Sequence, residues 1–390
     1  MAIEKRTSKD GKPAYRVRIS SIDPVTGKRR NITIGTFHTK REAQRAEREA
    51  LTQQDRGALA DPSRSTVRDL LDAWLGSKRG SVSDNTLRQY QYAIDLYLVP
   101  ALGSLRLQRL TPATIQHVYD RWRDDGVSPR YIQRNHLVLS QALDHGVRLR
   151  MIPVNVARET TRPTVRRKDL VVWNPDQLRR FLAVASTDRY APLWYLLGLE
   201  AMRRGEALGL RWRDINWERG TAHIAQTVLL DQTNRGTARI QPGAKTAAGS
   251  RTVRLTSQTL RVLREHRDRQ RFERQVAGDA WQDHDLIVTT SLGTPLNPSN
   301  VTRSFERLRK AADLPKLTVH GLRHTCATLM LASGSVSPKE ISDRLGHSTV
   351  QITLDTYSHL LPDMQERAAE AMSRIVSLDP TGTDSSEVGP

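Results

Sequence analysis

Between Thr66 and about Val156 the chain repeats one pattern four times, and that pattern narrows the choice of fold more than any other feature. The segments TVRDLLDAWLGSK, DNTLRQYQYAIDLYLVPALG, TPATIQHVYDRWRDDG and SPRYIQRNHLVLSQALDHGVRLR each carry the spacing of an amphipathic helix. Thr111 and Ser128 each precede a proline, the combination of N-cap and first-turn residue that starts a helix. Four short helices with basic residues on their outer faces predict a compact bundle.

The charge says what such a bundle would meet. Sixty-one basic against 42 acidic residues give a net charge of +19 and a pI near 10.5. A surplus of that size favours a polyanion, and nucleic acid is the default; an inert basic surface is the alternative. Composition does not separate DNA from RNA, or binding from catalysis. At 390 residues the chain is long enough for two or three domains. Its longest apolar-rich stretch, APLWYLLGLEAM, is interrupted by Glu200, so no membrane span is expected. The charged N-terminus MAIEKRTSKDGK predicts no secretory signal. A single cysteine, Cys326, excludes an internal disulfide and a multi-cysteine zinc site, and fits a reducing cytoplasm.

Residues 1–60 read as a separate basic module. YRVRISSID and RRNITIGTF alternate like strands around the turn signal PVTGK, and TKREAQRAEREALTQQDRG predicts a helix opened by Thr39. A basic sheet backed by a helix suits a groove of DNA; a solubilising appendage is the plainer reading. ADPSRS is a linker, residues 66–156 the bundle, and ARETTRPTVRRKDLVVW at 157–173 a second linker. A mixed domain is expected over 174–376. It has helices at PDQLRRFLAVAS and a long YAPLWYLLGLEAMRRGEALGL, strands at GTAHIAQTV and SRTVRLT, and helices again to the end. Residues 377–390 have the composition of a disordered tail.

Within the mixed domain, HGLRHTCATLM places His320, Arg323 and His324 at i, i+3 and i+4, on one helix face. A phosphate site needs a permanent planar cation and a tunable proton donor, which are arginine and histidine. Packed or solvent-facing histidines remain the alternative, and so does zinc. His320 and His324 have the spacing of helical zinc ligands and His347 could be a third. However, no Glu follows the first His and an arginine sits within the set. Arg203 and Glu206 are i, i+3 neighbours, so the carboxylate can hold the guanidinium, whereas Arg204 turns about a hundred degrees away.

Lys245, the one lysine between Lys168 and Lys310, falls on a glycine-flanked hairpin tip. A lysine can surrender its proton as a general acid and an arginine practically cannot, although an ordinary solvent-facing charge also fits there. SPKEISDRLG predicts a helix capped by Ser337 and Glu340 and stopped by Gly346, which leaves His347 at a junction. The next helix, TVQITLDTY, delivers Tyr357 as a packed aromatic, a member of a histidine-rich metal site, or a nucleophile. Unbroken helix would hold His347 and Tyr357 about 15 Å apart, so they meet one phosphate only if the chain turns between them or another subunit supplies the tyrosine.

The order of these elements resembles the tyrosine recombinases, the phage-integrase family: Arg-x-x-Glu, a hairpin lysine, His-x-x-Arg, Leu-Gly-His and a tyrosine shortly after. The resemblance implies a mostly α fold with small β-sheets. Its parts would be an N-terminal ββ(β)α arm-binding module, a SAM-like helical core-binding domain and a mixed α/β catalytic domain. It implies that Arg203 and Arg323 grip the scissile phosphate, that Lys245 protonates the leaving 5′ oxygen, and that His320 helps activate the tyrosine. His347 would hydrogen-bond the phosphate, Tyr357 would be the nucleophile, and Glu206 would support the pocket. The family commonly reads Thr-Gly-Leu before its first arginine, where this chain has Glu200, Ala201 and Met202; Glu200 is expected to point away from the phosphate.

The implied activity is integration and excision of a prophage or similar element, through a 3′-phosphotyrosine and a Holliday junction. The implied partners are double-stranded DNA attachment sites, three further copies of the chain in a homotetramer, an excisionase and a host DNA-bending protein. No cofactor and no metal are called for, since arginines stabilise the charge and the covalent intermediate keeps the bond energy. The setting would be the nucleoid of a bacterial cytoplasm. A type IB topoisomerase-like relaxing enzyme and a non-catalytic regulator derived from a recombinase are the rival readings.

Overall fold

The computed structural model describes residues 2–7, 13–22, 29–55, 65–165, 170–231, 237–243 and 250–357, with helical positions at 369, 372–373 and 376. The chain divides into two compact units, Met1–Arg167 and Lys168–Pro390. Among the described residues no helix is long and apolar enough to cross a membrane.

The first unit opens with an antiparallel sheet of β1 (Ala2–Thr7), β2 (Pro13–Ile22) and β3 (Arg29–Phe37), in that spatial order. The two strands expected from alternation are β2 and β3; β1 is an addition, because EKRT shows no apolar alternation of its own. Val17, Ile19 and Ile32 form the buried side of the sheet, with Ala43 and Ala50 of α1 (Lys40–Asp55). Thr39 and Glu42 close a capping box at the start of that helix.

The helical bundle follows as α2 (Val67–Lys78), α3 (Asp84–Ala93), α4 (Val99–Leu102), α5 (Pro112–Asp124) and α6 (Pro129–Arg148). Its core is built on Leu70, Trp74, Ile94, Leu98, Ile115, Tyr119, Ile132 and Leu139. Thr111 caps α5 through its side chain, whereas Ser128 marks the start of α6 without a side-chain bond. The helix expected as one piece over DNTLRQYQYAIDLYLVPALG loosens into a π-turn at Ile94–Leu98, where the Val99 N–H reaches back five residues to Ile94. Pro100 has no N–H to continue the ladder, which favours such an adjustment. The segment read as a linker from 157 starts inside this core: Ala157 is fully buried and Asn155 bonds Ser140 and Asp144.

The second unit contains α7 (Pro175–Ala185), α8 (Ala191–Gly198) and α9 (Arg204–Gly209). A three-stranded antiparallel sheet is formed by β4 (Ile215–Asn216), β5 (Thr221–Ile224) and β8 (Arg251–Arg254), and a two-stranded ladder by β6 (Gln226–Leu230) and β7 (Ala238–Pro242). Among the described residues five further helices follow: α10 (Ser257–Ala277), α11 (Pro298–Ala311), α12 (Val319–Ser333), α13 (Pro338–Leu345) and α14 (Val350–Tyr357). Trp173, Phe181, Trp194 and Phe305 stack at its centre, and Trp173, placed by the sequence at the end of a linker, is 1% exposed.

The long helix expected over 190–210 is broken, and the break builds the site. After Gly198 the chain leaves helical geometry, and Ala201 takes φ +54° before α9 begins at Arg204. A left-handed non-glycine residue costs roughly 1–2 kcal/mol, a strain that persists only where the surroundings enforce it. Here the turn aims the Ala201 carbonyl at Arg323 (2.7 Å).

Candidate active site

The end of α13 organises the pocket. Four carbonyls at a helix C-terminus lack partners within the helix and carry a partial negative charge. Gly346, at φ +65°, closes a Schellman motif: its N–H bonds Asp343 O (3.0 Å), and the His347 N–H bonds Ser342 O (3.1 Å). The next three carbonyls are thereby left to point outward, and each takes one arginine. Arg251 Nε donates to Arg344 O (2.8 Å), Arg323 to Leu345 O (2.7 Å) and Arg203 to Gly346 O (2.9 Å).

Glu206 ties two of these cations together. Its carboxylate accepts the Arg203 backbone N–H (2.9 Å) and guanidinium (2.7 Å), and two bonds from Arg251 (3.2 and 2.9 Å). Burial alone would raise its pKa, but the bonds and charge of Arg251, then of Arg203, hold it below the usual carboxylate value. Arg203 and Glu206 therefore pair as expected, though across the start of α9 rather than along a continuous helix. Arg204 turns away to Pro298 O and Thr302 on α11.

Arg323 is 2% exposed. Burial, and next the charge of Arg203, push its pKa down to about 9, which leaves it a cation at neutral pH. The carbonyls of Ala201 and Leu345 fix two of its nitrogens and orient the rest of the fork. His347 bonds Thr353 of α14 through Nδ1 (2.9 Å), and burial followed by Arg323, Arg203 and Arg251 lowers it to about 4. His320 is exposed on α12, and partial burial of its ring, then His324 and the arginines, lower its pKa. The His347 imidazole is thus neutral at neutral pH, and among the described residues the permanent positive charge of the pocket is guanidinium charge.

Tyr357 reaches this pocket within its own chain. It is 1% exposed, packed among Ala201, Cys326, Ala327, Leu331, Ile341 and Leu345, and burial pushes its phenol up to about 12. Its hydroxyl hydrogen-bonds Nδ1 of His324 at 2.8 Å. The structure thus brings together Arg203, Glu206, His320, Arg323, His347 and Tyr357. Lys245 lies in residues 244–249, outside the described residues, between Pro242 at the end of β7 and Arg251 at the start of β8; His359 and residues 377–390 are outside them as well. Among the described residues no group of three or more His, Cys, Asp or Glu side chains is placed to hold a metal ion.

Glu200 turns to Arg344 and the start of α10 rather than to Arg203, Arg251 or Arg323. It is fully buried, pairs with Arg344, and accepts from Thr256 N (2.9 Å), Thr256 Oγ1 (2.9 Å) and Thr259 Oγ1 (2.6 Å) at the start of α10. Sequence reasoning missed Arg251, whose partner Glu206 is 45 residues distant; its place at the base of the lysine hairpin was the one available signal. Replacing it, Arg251→Gln, is expected to slow single-turnover DNA cleavage roughly tenfold or more, the cost of sub-ångström misplacement of Arg203. DNA affinity should stay the same in a mobility-shift assay. An unchanged cleavage rate would show that Glu206 holds Arg203 unaided.

A buried phenol thus lies beside three guanidiniums gathered on the carbonyls of one helix end. The phage integrase family model matches residues 172–364, the phage integrase N-terminal SAM-like domain residues 66–123, and the arm DNA-binding domain residues 4–54. The chain belongs to the phage integrase family, the tyrosine recombinases. It is similar to the XerC-like tyrosine recombinase of Caldanaerobacter subterraneus subsp. tengcongensis, 27% identical over 394 residues covering 96% of this chain and 100% of the relative. The Tn1549 transposon integrase in complex with transposon right end DNA shares the fold with a TM-score of 0.66 at 21% identity, over 80% of this chain and 99% of that one. A lambda integrase tetramer bound to a Holliday junction superposes with a TM-score of 0.56 at 19% identity, over 90% and 94% of the two chains.

Proposed function

We propose that this chain integrates and excises a mobile element by cutting and rejoining DNA at attachment sites. The observation that carries the reading is the triad of guanidiniums on Arg344 O, Leu345 O and Gly346 O, set beside the Tyr357 phenol of the same chain. In phosphodiester transfer negative charge is spread over the equatorial, non-bridging oxygens, so preorganised cations there lower the barrier. Arg203 and Arg323 hold the two non-bridging oxygens, and Arg251 fixes Glu206 and through it Arg203. His347 donates to the phosphate, with Thr353 setting its ring. Tyr357 attacks phosphorus and Lys245 gives its proton to the departing 5′ oxygen. The resulting 3′-phosphotyrosine conserves the bond energy, so rejoining by a new 5′ hydroxyl needs no nucleotide.

The domain layout gives each step a surface. The basic β1–β3 module takes arm-type DNA, and the bundle and the catalytic unit take the core site. By analogy with the lambda integrase tetramer on its junction, four copies act together and exchange one strand pair, then the other. An excisionase and a host DNA-bending protein would set direction. The test is a nicked suicide duplex built from the repeats that border the element encoding the chain. A denaturation-resistant adduct mapped to Tyr357 by mass spectrometry is expected, formed equally in EDTA. Efficient relaxation of plasmids without such a repeat would instead indicate a topoisomerase-like enzyme, and no adduct on the true site a regulator.

A further inference from the structure

The family resemblance gives the activation of the nucleophile to His320, but the geometry gives the phenol to a different ring. Tyr357 Oη lies 2.8 Å from His324 Nδ1, one helical turn further along α12, while His320 stands edge-on to His324 with ring centroids 4.7 Å apart. The charged and titratable groups facing His324 are Arg323 and His320 from its own helix, Tyr357 from α14, and His347 from the junction before α14. Burial and then Arg323 lower the His324 pKa, which favours the neutral ring. The phenol, raised to about 12, still carries its proton. In the Nε2–H tautomer a neutral imidazole at this distance accepts the hydrogen bond at Nδ1 and is placed to take the proton itself. Burial, then His324, Arg323, Arg203 and Arg204, act on His320, which makes no such contact with the phenol among the described residues.

We propose that His324, rather than His320, receives the phenol proton of Tyr357 as the scissile phosphodiester is attacked. The Oη–P bond forms and the P–O5′ bond breaks. The phenol proton passes to His324 Nδ1, and the 5′ oxygen takes its proton from the general acid, assigned above to Lys245. Religation runs the same transfers backwards, with His324 returning the proton to the phenol. This role rests on the reading of Tyr357 as the nucleophile, and it makes two neighbouring histidines unequal: one serves the nucleophile, the other the phosphate.

The full-length chain is tested on the nicked suicide duplex described above. His324→Ala is expected to slow cleavage about 100-fold or more at neutral pH, in the range that general bases supply. Its rate should climb with pH through the alkaline range, whereas the wild-type rate is flat there and falls only as acid protonates His324. Added imidazole should restore part of the His324→Ala rate. A bridging 5′-phosphorothiolate, whose leaving sulfur needs no acid, should restore Lys245→Ala and leave His324→Ala slow. His324→Gln keeps a hydrogen-bond acceptor but no base; it should fold, bind DNA and remain slow, which separates proton transfer from packing.

Cleavage by His324→Ala within about threefold of wild type from roughly pH 6 to pH 9 overturns the assignment. So does the appearance of the pH slope and imidazole rescue in His320→Ala instead. Failure of the wild-type chain to form any adduct defeats the recombinase reading, a different result. The contact itself is read without DNA, from histidine nitrogen shifts of the free protein. His324 is expected as the Nε2–H tautomer, with an Nδ1 signal that moves in Tyr357→Phe; a signal indifferent to that change also overturns the proposal.

Discussion

Tyr357→Phe is expected to bind its DNA site as tightly as the wild-type chain and to form no covalent adduct at all. The ring sits among Ala201, Cys326, Ala327, Leu331, Ile341 and Leu345, and every one of those contacts survives the loss of one oxygen. What disappears is the hydrogen bond to His324, worth about 1 kcal/mol net, so the melting transition should shift by only a few degrees. At 1% exposure the residue offers almost no surface to DNA, which is why affinity should hold within about twofold. Adduct formation, in contrast, loses the atom that attacks phosphorus in the proposed reaction. Mobility shift and denaturing gels run on one preparation check both halves. Adduct yield undiminished by the change would move the chemistry to another residue and dissolve the site as described.

The parts of the site that were legible in the sequence are those whose reason is local. The box of Ser337 and Glu340 and the stop at Gly346 are short-range signals, and the structure realises them as written. The Arg203–Glu206 pair and the shared face of His320, Arg323 and His324 are likewise spacing along one element. The decisive contacts are long-range. Arg251 meets Glu206 across 45 residues, His324 meets Tyr357 across 33, and Arg323 meets Ala201 across 122. Moreover, the groups that hold the three arginines are backbone carbonyls, which have no residue identity to read. The break at Ala201 was hidden for a related reason. Helical periodicity registers where apolar side chains recur, and all of Ala191–Gly198 is buried, so no face marks the place where the helix must stop.

Glu200 shows how a departure from the family pattern acquires a structural task, and Glu200→Ala is expected to cost stability more than any other single change near the site. The carboxylate is fully buried; it accepts three bonds at the start of α10 and pairs with Arg344, itself 22% exposed by side chain. Breaking a buried pair by removing one partner typically costs about 3–5 kcal/mol. The partial exposure of Arg344 and its bonds to Arg254 O and Leu199 O place the figure at the low end, about 3 kcal/mol, read as a lower urea midpoint at unchanged slope. Arg344→Ala in the same background should cost less than it does alone, since the two side chains are coupled. The functional consequence follows from position. Arg344 is the residue whose own carbonyl holds Arg251, and the two carbonyls after it hold Arg323 and Arg203. A loosened Arg344 therefore loosens the acceptors of all three guanidiniums, and Glu200→Ala should slow cleavage even at temperatures where the protein is fully folded. Normal cleavage with normal stability would mean that Glu200 merely fills space behind the pocket.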